Sequence, residues 1–197
     1  MTTPDILTAL NPVVEAFEQL SIPYYIGGSV ASSIYGMARA TMDIDIIANI
    51  KEFHVPRLIK LLEEQYYIDE DMIVESIKTA TSFNLIHFKT AFKIDIFIYK
   101  DEPYQQNAIE RKVKDRFDEE SNFEYYFSTP EDIIISKLQW FDQGNRVSER
   151  QWLDIIGVIK VQGKNLDFEY LEKWSKKLGI FNLLEKALNE GGMAFQA

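Results

Sequence analysis

The sequence predicts an α+β fold in two parts: a mixed sheet flanked by helices over residues 1–127, then a C-terminal helical bundle over residues 128–197. Three observations carry that prediction. Apolar runs of strand length at 24–26, 42–48, 82–88 and 91–99 are interleaved with stripes of helical period up to Phe127. From Thr129 onward the strand-like runs stop and every segment shows helical spacing. Gly144, Gly163 and Gly179 then divide that region into separate helices.

The elements follow in order. Residues 5–20 place Ile6, Leu10, Val13, Val14, Phe17 and Leu20 on one helical stripe, in spite of Pro12. Ile22-Pro23 turns the chain into a short buried strand, 24–26, which Gly27-Gly28 breaks. Residues 29–35 read as a helix ending near Gly36, 42–48 as the second strand, and 52–65 as an amphipathic helix through Phe53, Leu58, Leu61 and Leu62. A short helix is expected over 69–78, with Asp69-Glu70-Asp71 as its cap and solvated neighbours. Residues 82–88 and 91–99 are close enough to form a hairpin across Lys89-Thr90. A helix over 103–109 and a strand pair at 112–117 and 123–127, around the polar turn 118–122, complete the first part. Thr129-Pro130-Glu131-Asp132 then combines a capping hydroxyl, proline at the first position and acids in the first turn. Helices are predicted over 130–142, 148–161, 167–178 and 180–189, with Trp140, Phe141, Trp152 and Trp174 as their core.

Composition narrows the function classes. Apolar residues at 46% support a real core, and the absence of cysteine removes disulfides, thiolate metal sites and cysteine nucleophiles. Neither a signal peptide after Met1 nor a run of about 20 apolar residues is visible, so a soluble cytoplasmic protein without a membrane association is expected. The formal charge of −10 argues against an extended nucleic-acid footprint. The basic run Arg111-Lys112-Val113-Lys114-Asp115-Arg116 reads as an exposed strand with solvated charges. His54 and His87 lack zinc-ligand spacing.

Chemistry concentrates in two places. Gly27-Gly28-Ser29 joins a strand to a helix, where glycine lets the backbone approach a phosphate and the helix N-terminus offers free N–H groups. The plainer alternative is a tight turn with Ser29 as N-cap. Asp43-Ile44-Asp45-Ile46 then sets two carboxylates on one side of a strand, roughly 6.5–7 Å apart along the chain. Such carboxylates repel each other unless a cation joins them, although one solvated strand face would show the same alternation. Asp95, alone within Lys93-Ile94-Asp95-Ile96-Phe97-Ile98, adds a third acid on a second apolar strand. Three carboxylates suit Mg²⁺ or Mn²⁺. Lys93 points the same way as Asp95, either to meet a phosphate or as a salt-bridging flank.

Gly28-Ser29, Asp43-x-Asp45 and the later Asp95 together resemble the polymerase-beta-type nucleotidyltransferase superfamily. Within it the chain is most similar to the small prokaryotic branch of minimal nucleotidyltransferases and AbiEii-type abortive-infection toxins. Arg39-Ala40-Thr41, leading into the acidic strand, and Ser136-Lys137-Leu138 with Arg150 and Asp154 match further elements of that branch. Trp152-Leu153-Asp154 departs from the Lys-Asp then Tyr-Asp of many toxin relatives. Arg150 and Asp154, four apart, would alternatively make a simple ion pair on one helix.

The resemblance implies a nucleotidyltransferase-like sheet and transfer of a nucleoside monophosphate from a nucleoside triphosphate to an acceptor hydroxyl, with release of pyrophosphate. Asp43, Asp45 and Asp95 would hold Mg²⁺ or Mn²⁺, and Asp95 could take the acceptor's proton. Gly27, Gly28, Ser29, Arg39, Thr41 and Lys137 would contact the nucleotide, with Lys137 also catalytic. The acceptor would be a protein, a small molecule or a tRNA end. The alternative function is a nucleotide- or partner-binding component of a toxin–antitoxin system, with a cognate protein partner and no turnover.

Overall fold

The computed structural model describes residues 3–41, 43–117 and 123–195. They form two compact units, Met1–Gly27 with Ala40–Phe127, and Gly28–Arg39 with Ser128–Ala197.

The first unit carries the sheet. Its strands are β1 (Tyr24–Ile26), β2 (Asp43–Ala48), β3 (Tyr66–Tyr67), β4 (Ser82–His87), β5 (Lys93–Ile98), β6 (Val113–Asp115) and β7 (Tyr125–Phe127). Among the described residues they make one seven-stranded sheet in the order β3-β4-β5-β2-β1-β7-β6. The sheet is mixed, as expected: β2 pairs with β5 and β1 with β7 in parallel, and the other neighbours are antiparallel. Helices α1 (Thr3–Gln19), α3 (Val55–Leu62), α4 (Glu70–Thr79) and α5 (Pro103–Arg111) belong to this unit.

Strict alternation in β2 and β5 buries Ile44, Ile46, Ala48, Ile94, Ile96 and Ile98 and leaves the residues between them on the other face. Leu10, Val13, Val14 and Phe17 of α1 and Leu58 and Leu62 of α3 complete this core. Tyr66 is fixed by its hydroxyl, which donates to the Ala9 carbonyl at 2.6 Å. Strand β3 has no counterpart in the sequence reading, which ran a helix through 52–65. Glu52–His54 is instead a 3-10 turn, Pro56 sits in the first turn of α3, and the helix ends at Leu62, freeing Tyr66–Tyr67 to pair with β4. Met42 and the expected polar turn 118–122 lie outside the described residues.

The predicted β4–β5 hairpin is present, and His87 anchors its turn through a 2.8 Å hydrogen bond between Nδ1 and the Thr90 hydroxyl. His87 is 4% exposed. Burial, with Lys89 adding, pushes its pKa below the usual histidine value, so the folded chain holds it neutral. As pH falls through about 6.5, the unfolded chain takes up this proton first, so His87 withdraws stability until its lower folded pKa is passed. Thermal melts from pH 7.5 to 5.5 are expected to show that fall, with a shallower slope in His87→Asn.

The second unit is helical: α2 (Gly28–Tyr35), α6 (Pro130–Gln143), α7 (Glu149–Gln162), α8 (Phe168–Lys177) and α9 (Phe181–Glu190). Thr129, Ser148 and Asp167 cap α6, α7 and α8 by accepting from the backbone N–H three residues on. Ile133, Ile134, Leu138 and Phe141 pack with Ile155, Val158, Ile159, Leu171, Trp174 and Leu184 as its core. Trp140 departs from expectation: it is 52% exposed, because it lies at the edge of the α6 stripe rather than on it. Residues 28–39 also depart from a linear division at 127. They join the helical unit because α2 packs on α6 and α7. The approach is closest at Gly36, where a Cβ would stand 2.9 Å from the Val158 nitrogen. Among the described residues no helix is long and apolar enough to cross a membrane.

Candidate active site

In the sheet unit, register decides the arrangement. Asp45 lies directly opposite Asp95, and Asp43 directly opposite Lys93, across the parallel β2–β5 pair. Residues opposite each other on neighbouring strands share a face, so Asp43, Asp45, Asp95 and Lys93 all project on the same side of the sheet. Asn84 of β4 lies opposite Asp95 and extends that row. The Thr41 hydroxyl donates to Asp43 Oδ1 at 2.7 Å, which steadies that carboxylate.

Lys93 Nζ lies 2.6 Å from Asp95 Oδ2. This hydrogen bond raises the Lys93 pKa above the ordinary lysine value; burial opposes the shift, and the charges of Asp95, Asp43 and Asp45 add to it. Of the two sequence readings for Lys93, its ammonium takes the salt-bridging one. Among the described residues no three carboxylate or histidine side chains already converge as a metal-binding group. The donor chemistry itself suits a hard cation such as Mg²⁺ or Mn²⁺, because three carboxylates from adjacent strands face one side of the sheet.

Gly27 ends β1, and its N–H donates to the Asp45 carbonyl at 2.9 Å. Gly28 has φ of +56°, a conformation that glycine adopts without strain. The turn is therefore built as the glycine pair suggests.

In the helical unit, Ser29 is not an N-cap. It lies inside α2, and its hydroxyl accepts from Arg39 Nη2. The Arg39 guanidinium also grips Asp154 with both arms, Nε to Oδ1 at 2.8 Å and Nη2 to Oδ2 at 2.9 Å. Lys137 Nζ adds a third contact to Asp154 Oδ2 at 2.9 Å. The side chains of Lys137 and Asp154 are each only 7% exposed. Burial pushes the Asp154 carboxyl up, but the hydrogen bonds and charges of Arg39 and Lys137 outweigh it and hold the pKa below the ordinary aspartate value.

Thus Asp154 joins Arg39 to Lys137, and Arg39 in turn reaches Ser29. The i,i+4 spacing of Asp154 from Arg150 suggested a local ion pair. The better signal was its position one turn before the buried Val158, where a carboxylate requires partners from other helices. Of the basic run 111–116, Val113, Lys114, Asp115 and Arg116 are exposed as expected, whereas Arg111 and Lys112 are half-buried; Lys112 and Lys114 lie over the Tyr126 ring at 4.4 and 5.2 Å from its centroid.

The fold is nucleotidyltransferase-like. The solution structure of the antibiotic-resistance factor ANT(2'')-Ia matches with a TM-score of 0.58 and 16% identity over 94% of this chain and 97% of that one. A crystal structure of ANT(2'')-Ia with adenylyl-2''-tobramycin gives 0.54 and 16% over 90% and 98%. An antigenic nucleotidyltransferase-like protein from Paracoccidioides brasiliensis gives 0.57 and 14% over 100% and 96%. No protein-family model and no curated protein sequence matches the chain.

Proposed function

We propose that this chain is a metal-dependent nucleotidyltransferase that moves a nucleoside monophosphate from a nucleoside triphosphate to an acceptor hydroxyl. The observation that carries the reading is the β2–β5 register, which sets Asp43, Asp45 and Asp95 on one sheet face in a nucleotidyltransferase-like fold. Mg²⁺ or Mn²⁺ held by these three residues would supply positive charge to the phosphates and acidify the acceptor hydroxyl. Asp95 accepts the acceptor's proton; the acceptor oxygen then bonds to the α-phosphorus as the bond to the β-phosphate bridging oxygen breaks, and pyrophosphate leaves. Thr41 holds the Asp43 carboxylate in place. Gly27 shapes the turn, its own N–H being taken by the Asp45 carbonyl; the Gly28 N–H and the Ser29 hydroxyl are the proposed phosphate contacts, with Arg39 and Lys137 offsetting phosphate charge.

A small hydroxylated molecule is the acceptor class best supported, since ANT(2'')-Ia, of like fold, is seen with adenylyl-2''-tobramycin, and the charge of −10 disfavours a long nucleic acid. A second reading, an AbiEii-like toxin with a cognate protein partner, is favoured by one observation. Lys137 and Asp154, two residues of that branch's pattern, pair directly. Incubation of the purified protein with each α-labelled nucleoside triphosphate, Mg²⁺ and cell lysate tests both readings. Label on a small molecule with matching pyrophosphate release supports the first. Label on protein or RNA supports the second, and nucleotide binding without pyrophosphate release supports instead a non-catalytic nucleotide- or partner-binding component.

A further inference from the structure

The carboxylate face already contains a cation of its own. Lys93 sits across from Asp43 on the neighbouring strand, two residues before Asp95 on its own strand and diagonal to Asp45. On its other side the residue opposite is Ile86, so the charges that the β2–β5–β4 rows bring to the ammonium are those of the acids. The ammonium is bound to Asp95, the one acid that β2 does not supply.

An ammonium held there competes with a divalent ion for the same oxygen. Two divalent ions and Lys93 together would set five positive charges against three carboxylates, an excess that a nucleoside triphosphate corrects. Lys93 can leave: its side chain is 45% exposed on a flexible four-carbon stem, and its head can turn to a phosphate oxygen.

We propose that Lys93 is the resident counter-ion of the carboxylate face and makes metal binding depend on nucleotide: it holds Asp95 until a triphosphate arrives to accept the ammonium. This rests on the reading of Asp43, Asp45 and Asp95 as metal ligands. Lys93 is a positioning residue here, acting through Asp95.

The test is Mn²⁺ binding, followed by calorimetry and by the spin-resonance signal of the free ion, with and without a non-hydrolysable α,β-methylene triphosphate. Wild type is expected to bind Mn²⁺ weakly alone and much more tightly with the nucleotide. Lys93→Met is expected to bind Mn²⁺ alone at least about tenfold more tightly and to gain less from the nucleotide. Lys93→Arg, which keeps the charge, should behave as wild type. Melting curves confirm that each variant is folded before titration. Mn²⁺ affinity in Lys93→Met that is unchanged, weaker or undetectable overturns the proposal. Asp43→Asn and Asp45→Asn separate the two failures. If they leave Mn²⁺ binding intact, the metal reading itself is wrong; if they remove it while Lys93→Met matches wild type, only the role of Lys93 falls.

Discussion

Replacing Asp43 or Asp45 with asparagine is expected to abolish nucleotidyl transfer while leaving the melting temperature unchanged or slightly raised. Both side chains lie on the half-exposed face of β2, while the packing is done by Ile44, Ile46 and Ala48 on the other. Asparagine keeps the shape and an acceptor oxygen for the Thr41 hydroxyl, and removes one of several like charges from a crowded face. What it cannot keep is the charge that draws a divalent ion. Metal stabilisation of the transferring phosphoryl group amounts to several kcal/mol, and at about 1.4 kcal/mol per tenfold its loss slows transfer about a thousandfold or more. Pyrophosphate release measured beside a thermal melt checks both halves. Activity near wild type in a folded Asp45→Asn protein would contradict the assignment of this face.

The second large effect is on stability. Asp154→Ala strands the Lys137 ammonium, 7% exposed, and leaves the Arg39 guanidinium without its two-armed partner. Breaking a buried ion pair from one side costs about 3–5 kcal/mol. For a chain of this size, at about 2–4 °C per kcal/mol, the melting temperature should fall by roughly 10 °C. The double variant Asp154→Ala/Lys137→Met should recover part of that loss, because methionine removes the stranded Lys137 ammonium, while the more exposed Arg39 still lacks its two-armed partner. A single variant melting within a degree or two of wild type would mean that Asp154 does not hold these helices together.

The two predictions differ in how far the sequence alone could carry them. Asp43, Asp45 and Asp95 were legible because each interrupts a run of isoleucines with strand period, and the alternation states which side the carboxylates take. Cap chemistry was equally legible: Thr129, Ser148 and Asp167 stand at the starts of α6, α7 and α8 because their side-chain oxygens accept a backbone N–H that the helix leaves unpaired. The Arg39–Asp154–Lys137 cluster was not legible as a cluster. Arg39 and Asp154 are 115 residues apart in sequence, and spacing along one helix pointed Asp154 to Arg150 instead. The strand Tyr66–Tyr67 escaped for a similar reason, since two residues hold no periodicity and only the pairing with β4 makes them a strand.

Period and cap, being short-range properties, were thus determined by the sequence itself: where strands and helices run, which faces are apolar, and that three carboxylates stand on strands. Partner choice across the chain was decided only by the tertiary structure. Parallel pairing of β2 with β5 set Asp95 beside Asp45 rather than elsewhere along the sheet, and set Lys93 among the acids. The packing of α2 on α7 carried residues 28–39 to the helical unit. The physical reason is that a buried or crowded charge is stabilised by whichever opposite charge the fold brings within about 3 Å, and distance along the chain says little about distance in space.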